Sequence, residues 1–130
     1  MTEHNARASL GRQGEAMAAA YLVGQGWEIL ASNWRTRLGE LDIVARDGEH
    51  LVFVEVRTRR GGRQAVTPML GAPEESVTPR KQLRLAAMAA EFLFQTPWDG
   101  PTRIDVIALE LARDGSLLRL THYRDAVGGA

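Results

Sequence analysis

Between Gly39 and Arg57 the chain reads GELDIVARDGEHLVFVEVR, two runs of β-forming residues on either side of an Asp-Gly pair. Few local signals constrain a fold as tightly. Asp-Gly between alternating apolar runs favours a two-residue hairpin turn, so residues 39–46 and 50–58 are read as antiparallel strands. Side chains alternate across a strand, and turn length therefore decides which residues share a face. With Asp47 and Gly48 as the turn, Arg46 lies opposite Glu49, Asp42 opposite Phe53 and Glu40 opposite Glu55. One face then carries Leu41, Ile43, Ala45, Val52, Val54 and Val56, an apolar set expected in the core. The other carries Glu40, Asp42, Val44, Leu51, Phe53, Glu55 and Arg57. A three-residue turn would separate Asp42 from Glu55 and mix the apolar set, which argues for the shorter turn.

Acids inside strands need an explanation. Like charges paired across strands are destabilising, and a partly buried carboxylate is costly without a cation. Arg57 is one candidate partner. A hard divalent cation is another, because magnesium takes a few carboxylates together with waters and a substrate phosphate. An ion held there could polarise a phosphate oxygen and activate a water. The competing reading is an ordinary salt-bridged outer face, worth ~0–1 kcal/mol per pair.

The flanking segments supply the layers. Leu10, Gly14, Met17, Ala18, Tyr21 and Leu22 recur at helical spacing, so residues 10–25 are read as a helix closed by Gly24 and Gly26. Residues 27–34 (WEILASNW) are read as a strand, and residues 59–77 as a long loop. Thr78-Pro79 suits the N-cap and first position of a second helix running to Phe94. Residues 102–110 and 117–122 give two more strands around Asp114-Gly115. The order αβββαββ predicts an α/β fold, a three-layer α/β/α sandwich around a central mixed sheet.

With 130 residues, 45% hydrophobic and 25% charged, the chain is expected to form a single domain over 1–130, its core spanning about 9–122. No apolar run reaches membrane-spanning length and MTEHNARASLGRQ lacks a secretory signal, so no membrane partner is expected. The absence of cysteine excludes disulfides and thiolate metal sites, and a cytoplasmic location is the default expectation. Net charge is zero, but arginines crowd the middle of the chain, among them Arg35, Arg37, Arg57, Arg59, Arg60 and Arg63. Arginine favours forked contacts to phosphate or carboxylate.

Asp42 followed by Glu55-Val56-Arg57 on the next strand resembles the PD-(D/E)xK motif of restriction-endonuclease-like nucleases. More narrowly, the chain resembles the YraN family of small bacterial proteins over about residues 9–110. The matching segments are Gly11 to Glu15, Asn33-Trp34-Arg35, Gly39 to Asp42, Phe53 to Arg57, Gly71-Ala72-Pro73-Glu74-Glu75, Lys81-Gln82 and Arg103-Ile104-Asp105-Val106. The resemblance implies a restriction-endonuclease-like fold and a magnesium- or manganese-dependent site that cleaves phosphodiesters. Carried over by position, Asp42, Glu55 and Glu15 become the metal ligands, with Glu40 the next candidate unless it pairs with Arg57 or Arg35. Leu41 replaces the motif proline. Arg57 stands in place of the motif lysine; it cannot serve as a general base, but it can hold a water or offset phosphate charge. Lys81 and Gln82, at a helix amino terminus suited to anions, are candidates for positioning phosphate or water. Asp105 has a structural reading too, for example bonded to Arg103 or the neighbouring strand.

Three functions compete on this reading. The first is a metal-dependent nuclease acting on DNA, branched or damaged, with RNA as a further substrate class. The second is a nucleic-acid-binding module of the same fold that cuts little and holds phosphates with Arg35, Arg37, Arg59 and Arg60. The third is a protein-interaction domain whose acids are structural. A homodimer would suit cutting two strands. Trp27, Trp34 and Trp98 could stack bases, but core or edge roles are expected of them.

Overall fold

The computed structural model describes residues 3–61 and 77–127, and the side chains from residue 6 onward. Arg63 and the Gly71–Glu75 motif lie outside the described residues. The elements are α1 (Glu3–Gly24), β1 (Glu28–Thr36), β2 (Gly39–Asp47), β3 (His50–Arg60), α2 (Pro79–Gln95), β4 (Thr102–Leu111) and β5 (Leu117–Tyr123). Among the described residues the order is the expected αβββαββ. Helix α1 begins earlier than its apolar spacing suggests, and β3 runs through Arg59 and Arg60, beyond the strand end that the sequence pattern predicts.

One five-stranded sheet is ordered β1-β2-β3-β4-β5. Its β3–β4 pair is parallel and the others antiparallel, because α2 carries the chain back across the sheet between β3 and β4. Among the described residues each face is covered by one helix. Leu85, Met88, Ala89 and Phe92 of α2 pack with Val44, Leu51, Phe53, Ile104 and Val106. Ala18 and Leu22 of α1 pack with Ile43, Ala45, Val52, Val54, Ile107, Leu109 and Leu111 on the opposite face. Both faces of β2 and β3 are therefore core, which explains why their sequences are nearly continuous in apolar residues.

Several local expectations hold at atomic detail. Thr78 caps α2, its side chain accepting from the backbone of Lys81, and Pro79 follows at the first position. At the end of α1 the backbone N–H of Trp27 reaches back to Leu22 (3.0 Å), with Gly26 at φ 90°, a Schellman-type stop. Gly26 supplies the left-handed residue; Gly24 remains helical. Trp27 is buried in the α1-side core, while Trp34 and Trp98 pack against the α2-side core.

The hairpin register differs from the expectation by two residues. Asp47 pairs with His50 and Arg46 with Leu51, so Gly48 and Glu49 form the turn and Glu40 does not face Glu55. Gly48, at φ 60°, occupies the first turn position, as a type II′ turn requires. A slip of two preserves parity, so Asp42 and Glu55 still share a side. Leu41 departs from its expected face: it packs with Val44 and Phe53 on the α2 side, whereas Ile43 packs on the α1 side. Regular alternation thus fails at Asp42.

Asp105 is fully buried at the α1-side face. It accepts from Arg103 Nε (3.0 Å) and the backbone N–H of Asp125 (2.9 Å), and its other oxygen lies 2.8 Å from His122 Nε2. Burial alone would raise its pKa; the hydrogen bonds from His122, Asp125 and Arg103 outweigh that and hold it below the usual carboxylate value. The structural reading of Asp105 is what this geometry provides.

Candidate functional site

The failure of alternation at Asp42 coincides with a fork in the sheet. The β2–β3 ladder ends at Ile43 and Val54. Beyond that pair β2 continues alongside β1 to Gly39, while β3 continues alongside β4 to Arg60. Backbone groups exposed between the diverging strands need partners. Asp42 supplies one: its Oδ2 accepts the N–H of Val56 at 2.8 Å, replacing a ladder bond with a side chain.

The fork opens into a cleft of about 640 Å³. Asp42, Glu55 and Arg57 form its floor, α1 contributes Gly11 and Glu15, and α2 contributes Lys81 and Arg84. A smaller recess of about 240 Å³ reaches Asp42 from between α1 and β1. Glu15 is brought there by close packing of α1 on β3: a Cβ at Gly14 would lie 1.8 Å from Thr58 Oγ1, so only glycine permits the approach. Asn33 orients Glu15, donating from Nδ2 to Oε1 at 3.0 Å. It does so from a left-handed backbone (φ 50°), a conformation that asparagine tolerates better than most residues. No role for Asn33 was read from the sequence, although asparagine in a strand with turn-like propensity was an available signal.

The carboxyl groups of Asp42 and Glu55 lie within hydrogen-bonding reach of each other. Burial first, then the charge of Glu55, push the Asp42 pKa from 3.8 to about 8; Glu15 adds to the rise and the Val56 N–H opposes it. Arg57 Nη1 lies 3.7 Å from Glu55 Oε2 and partly offsets that charge. Among the described residues, no three His, Asp or Glu side chains are grouped so that they could together hold a metal ion, and Glu15 does not join Asp42 and Glu55 in such a set. The donor chemistry still fits a hard cation: two adjacent carboxylates, one carrying a proton that a cation would displace, with an open cleft for waters.

The remaining expected residues divide clearly. Lys81 lines the cleft, whereas Gln82 does not; its side-chain amide donates to the Val77 carbonyl at 2.9 Å. Glu40 lines the cleft rim and pairs with Arg35 at 3.3 Å. Arg37 reaches Glu91 (3.6 Å), Arg59 is bonded to the buried Glu110 (2.7 Å), and Arg60 donates to the Ala112 carbonyl (2.7 Å). None of Arg35, Arg37, Arg59 and Arg60 lines the cleft; Arg57, Arg84 and Arg7 do. Sequence reasoning assigned no role to Arg84 or Arg7.

Fold and cleft define a small α/β protein with an acidic, cation-flanked fork in a mixed sheet. The chain belongs to the uncharacterised protein family UPF0102, whose profile matches residues 14–109 and so takes in every cleft acid. It is 44% identical over 119 residues to a UPF0102 protein of Geotalea uraniireducens, an alignment covering 91% of this chain and 88% of the relative. A UPF0102 protein of Anaeromyxobacter dehalogenans is 46% identical over 95% of this chain and 87% of its own length. A third, from Pelotomaculum thermopropionicum, is 45% identical over 94% of this chain and 98% of its own length. Among the described residues no helix is long and apolar enough to cross a membrane.

Proposed function

We propose that this protein is a divalent-cation-dependent phosphodiester hydrolase of the PD-(D/E)xK kind, with the restriction-endonuclease-like fold, acting on DNA. The observation that carries the reading is the pairing of Asp42 and Glu55 across the fork, two carboxyl groups within hydrogen-bonding reach beneath an open cleft walled by Lys81 and Arg84. A structural salt bridge does not need two acids in contact, and such contact is costly without a cation.

Hydrolysis adds a water oxygen to phosphorus and breaks the opposite P–O bond, and negative charge grows on the phosphoryl oxygens and the leaving oxygen. Asp42 and Glu55 would hold magnesium or manganese, with Glu15 adding negative charge nearby; a bound ion would supply Lewis acidity and lower the pKa of a water. As a ligand Asp42 would act in its ionised form, its proton released to solvent. Arg57 offsets the growing charge, and Lys81 holds the phosphate from the α2 side. Asn33 keeps Glu15 turned toward the fork.

Arg57 in the position of the motif lysine favours a second reading, a DNA-binding module of the same fold with little cleavage. One experiment separates the two. Duplex, branched and single-stranded DNA are incubated with the protein and with Asp42→Asn and Glu55→Gln, in magnesium or manganese chloride. Metal-dependent cutting that falls at least ~100-fold in both variants supports the hydrolase. Binding without cutting, unchanged by Glu55→Gln, leaves the module; neither binding nor cutting removes both.

A further inference from the structure

Helix α2 has a second apolar stripe, diametrically opposite the one that packs on the sheet. Leu83, Ala87, Ala90 and Phe94 recur at the i, i+4, i+7, i+11 spacing of a helix-pairing seam. Leu83 is 74% exposed and Phe94 88% exposed, more than any other large apolar residue among those described, so the described residues do not bury this stripe. Arg37 and Leu38, in the turn between β1 and β2, wall one side and leave a shallow groove of about 570 Å³ against Ala87, Ala90, Glu91 and Phe94.

The stripe is complementary to itself. Leu83 and Phe94 lie symmetrically about the peptide bond joining Met88 and Ala89, as do Ala87 and Ala90. If a second α2 lies antiparallel across the first on a two-fold axis at that point, each Leu83 meets the partner helix at Phe94. The small Ala87 and Ala90 then face each other at the centre, where they permit close approach. The same operation brings like flanks together. Arg84 and Glu91 share one flank, so each Arg84 comes alongside the Glu91 of the other copy. Arg84 has no ion pair among the described residues, and Glu91 has only the 3.6 Å contact with Arg37.

We propose that the outer face of α2 is a homodimer interface, two copies of this chain pairing α2 antiparallel about a two-fold axis near Met88 and Ala89. Large residues oppose large, small oppose small, and cation opposes anion under a single symmetry operation. A partner of another kind would not require the stripe to match its own reverse. The proposal stands whether or not the cleft is a hydrolase.

Sedimentation velocity on the full chain over a concentration series tests it. The wild type is expected to shift from monomer to dimer as concentration rises. Phe94→Glu should weaken the dimer by at least ~tenfold. Arg84→Glu and Glu91→Arg should each weaken it, and the two together should restore it, with circular dichroism confirming that every variant is folded. Because the chain has no cysteine, single cysteines report the register. Ala87→Cys should cross-link readily, since the two copies of residue 87 are offset by only about 4.5 Å along the helices. Leu83→Cys should not, because its copies are about 16 Å apart along the same direction. A monomer at every concentration, no rescue by the double charge swap, or equal cross-linking at residues 83 and 87 would overturn the proposal.

Discussion

Asp42 performs two incompatible tasks, and its protonation decides which one dominates. As an acceptor for Val56 it closes the gap left by the diverging strands; as a charge beside Glu55 it pushes them apart. Its folded-state pKa of about 8 lies above the ordinary 3.8, so the folded protein binds the extra proton between those values. The stabilising contribution is therefore complete below pH 3.8 and is lost as pH rises through about 8. Asn at this position carries no charge and retains an N–H for Glu55. In urea titrations without divalent cation, Asp42→Asn should match the wild type in acid and exceed it at alkaline pH by on the order of 6 kcal/mol. Equal pH dependence in the two proteins would contradict the raised pKa. What could be read in advance at this scale was chemical type and side: acids interrupting apolar strands mark a site, and parity put Asp42 with Glu55. The Val56 bond could not be read, because it depends on where the ladder stops.

At the scale of elements, pattern was legible and register was not. Alternation fixes which face a residue takes, and a shift of two residues leaves every face unchanged, so apolar patterning cannot distinguish the expected hairpin from the observed one. The turn decides, and Gly48 settles at the first central position because glycine carries the positive φ that Asp47 would adopt only at a cost. Leu41 was misplaced for a related reason: alternation presumes an unbroken ladder, and β2 leaves β3 beyond Ile43. The apolar spacing of α1 shows which side of the helix packs inward, but not that Gly14 marks a close approach to Thr58. Gly14→Ala should destabilise the protein by about 1–3 kcal/mol in chemical denaturation. Adding Thr58→Ala should recover only part of the loss, since the new Cβ still lies 2.8 Å from the Cβ at position 58. Full recovery would mean that α1 shifts freely on β3.

Across the whole molecule, the sheet is stitched unevenly. Strands β3 and β4 pair over ten residues, from Leu51 with Thr102 to Arg60 with Leu111, whereas β2 and β3 pair over five. The β1–β2 ribbon is thus fastened at its Asp47 end and unsupported by β3 at its Gly39 end. It has the build of a tweezer arm hinged where the ladder ends at Ile43 and Val54, with Asp42 at the point where the arm lifts away. Hydrogen exchange should show the consequence. The Val56 amide, latched by a side chain instead of a ladder, should exchange faster than the Val54 amide, and Asp42→Ala should widen that difference. Equal protection at the two amides would mean that the arm does not move. A grip of this kind can adjust its width to what lies in it without unfolding the rest of the sheet.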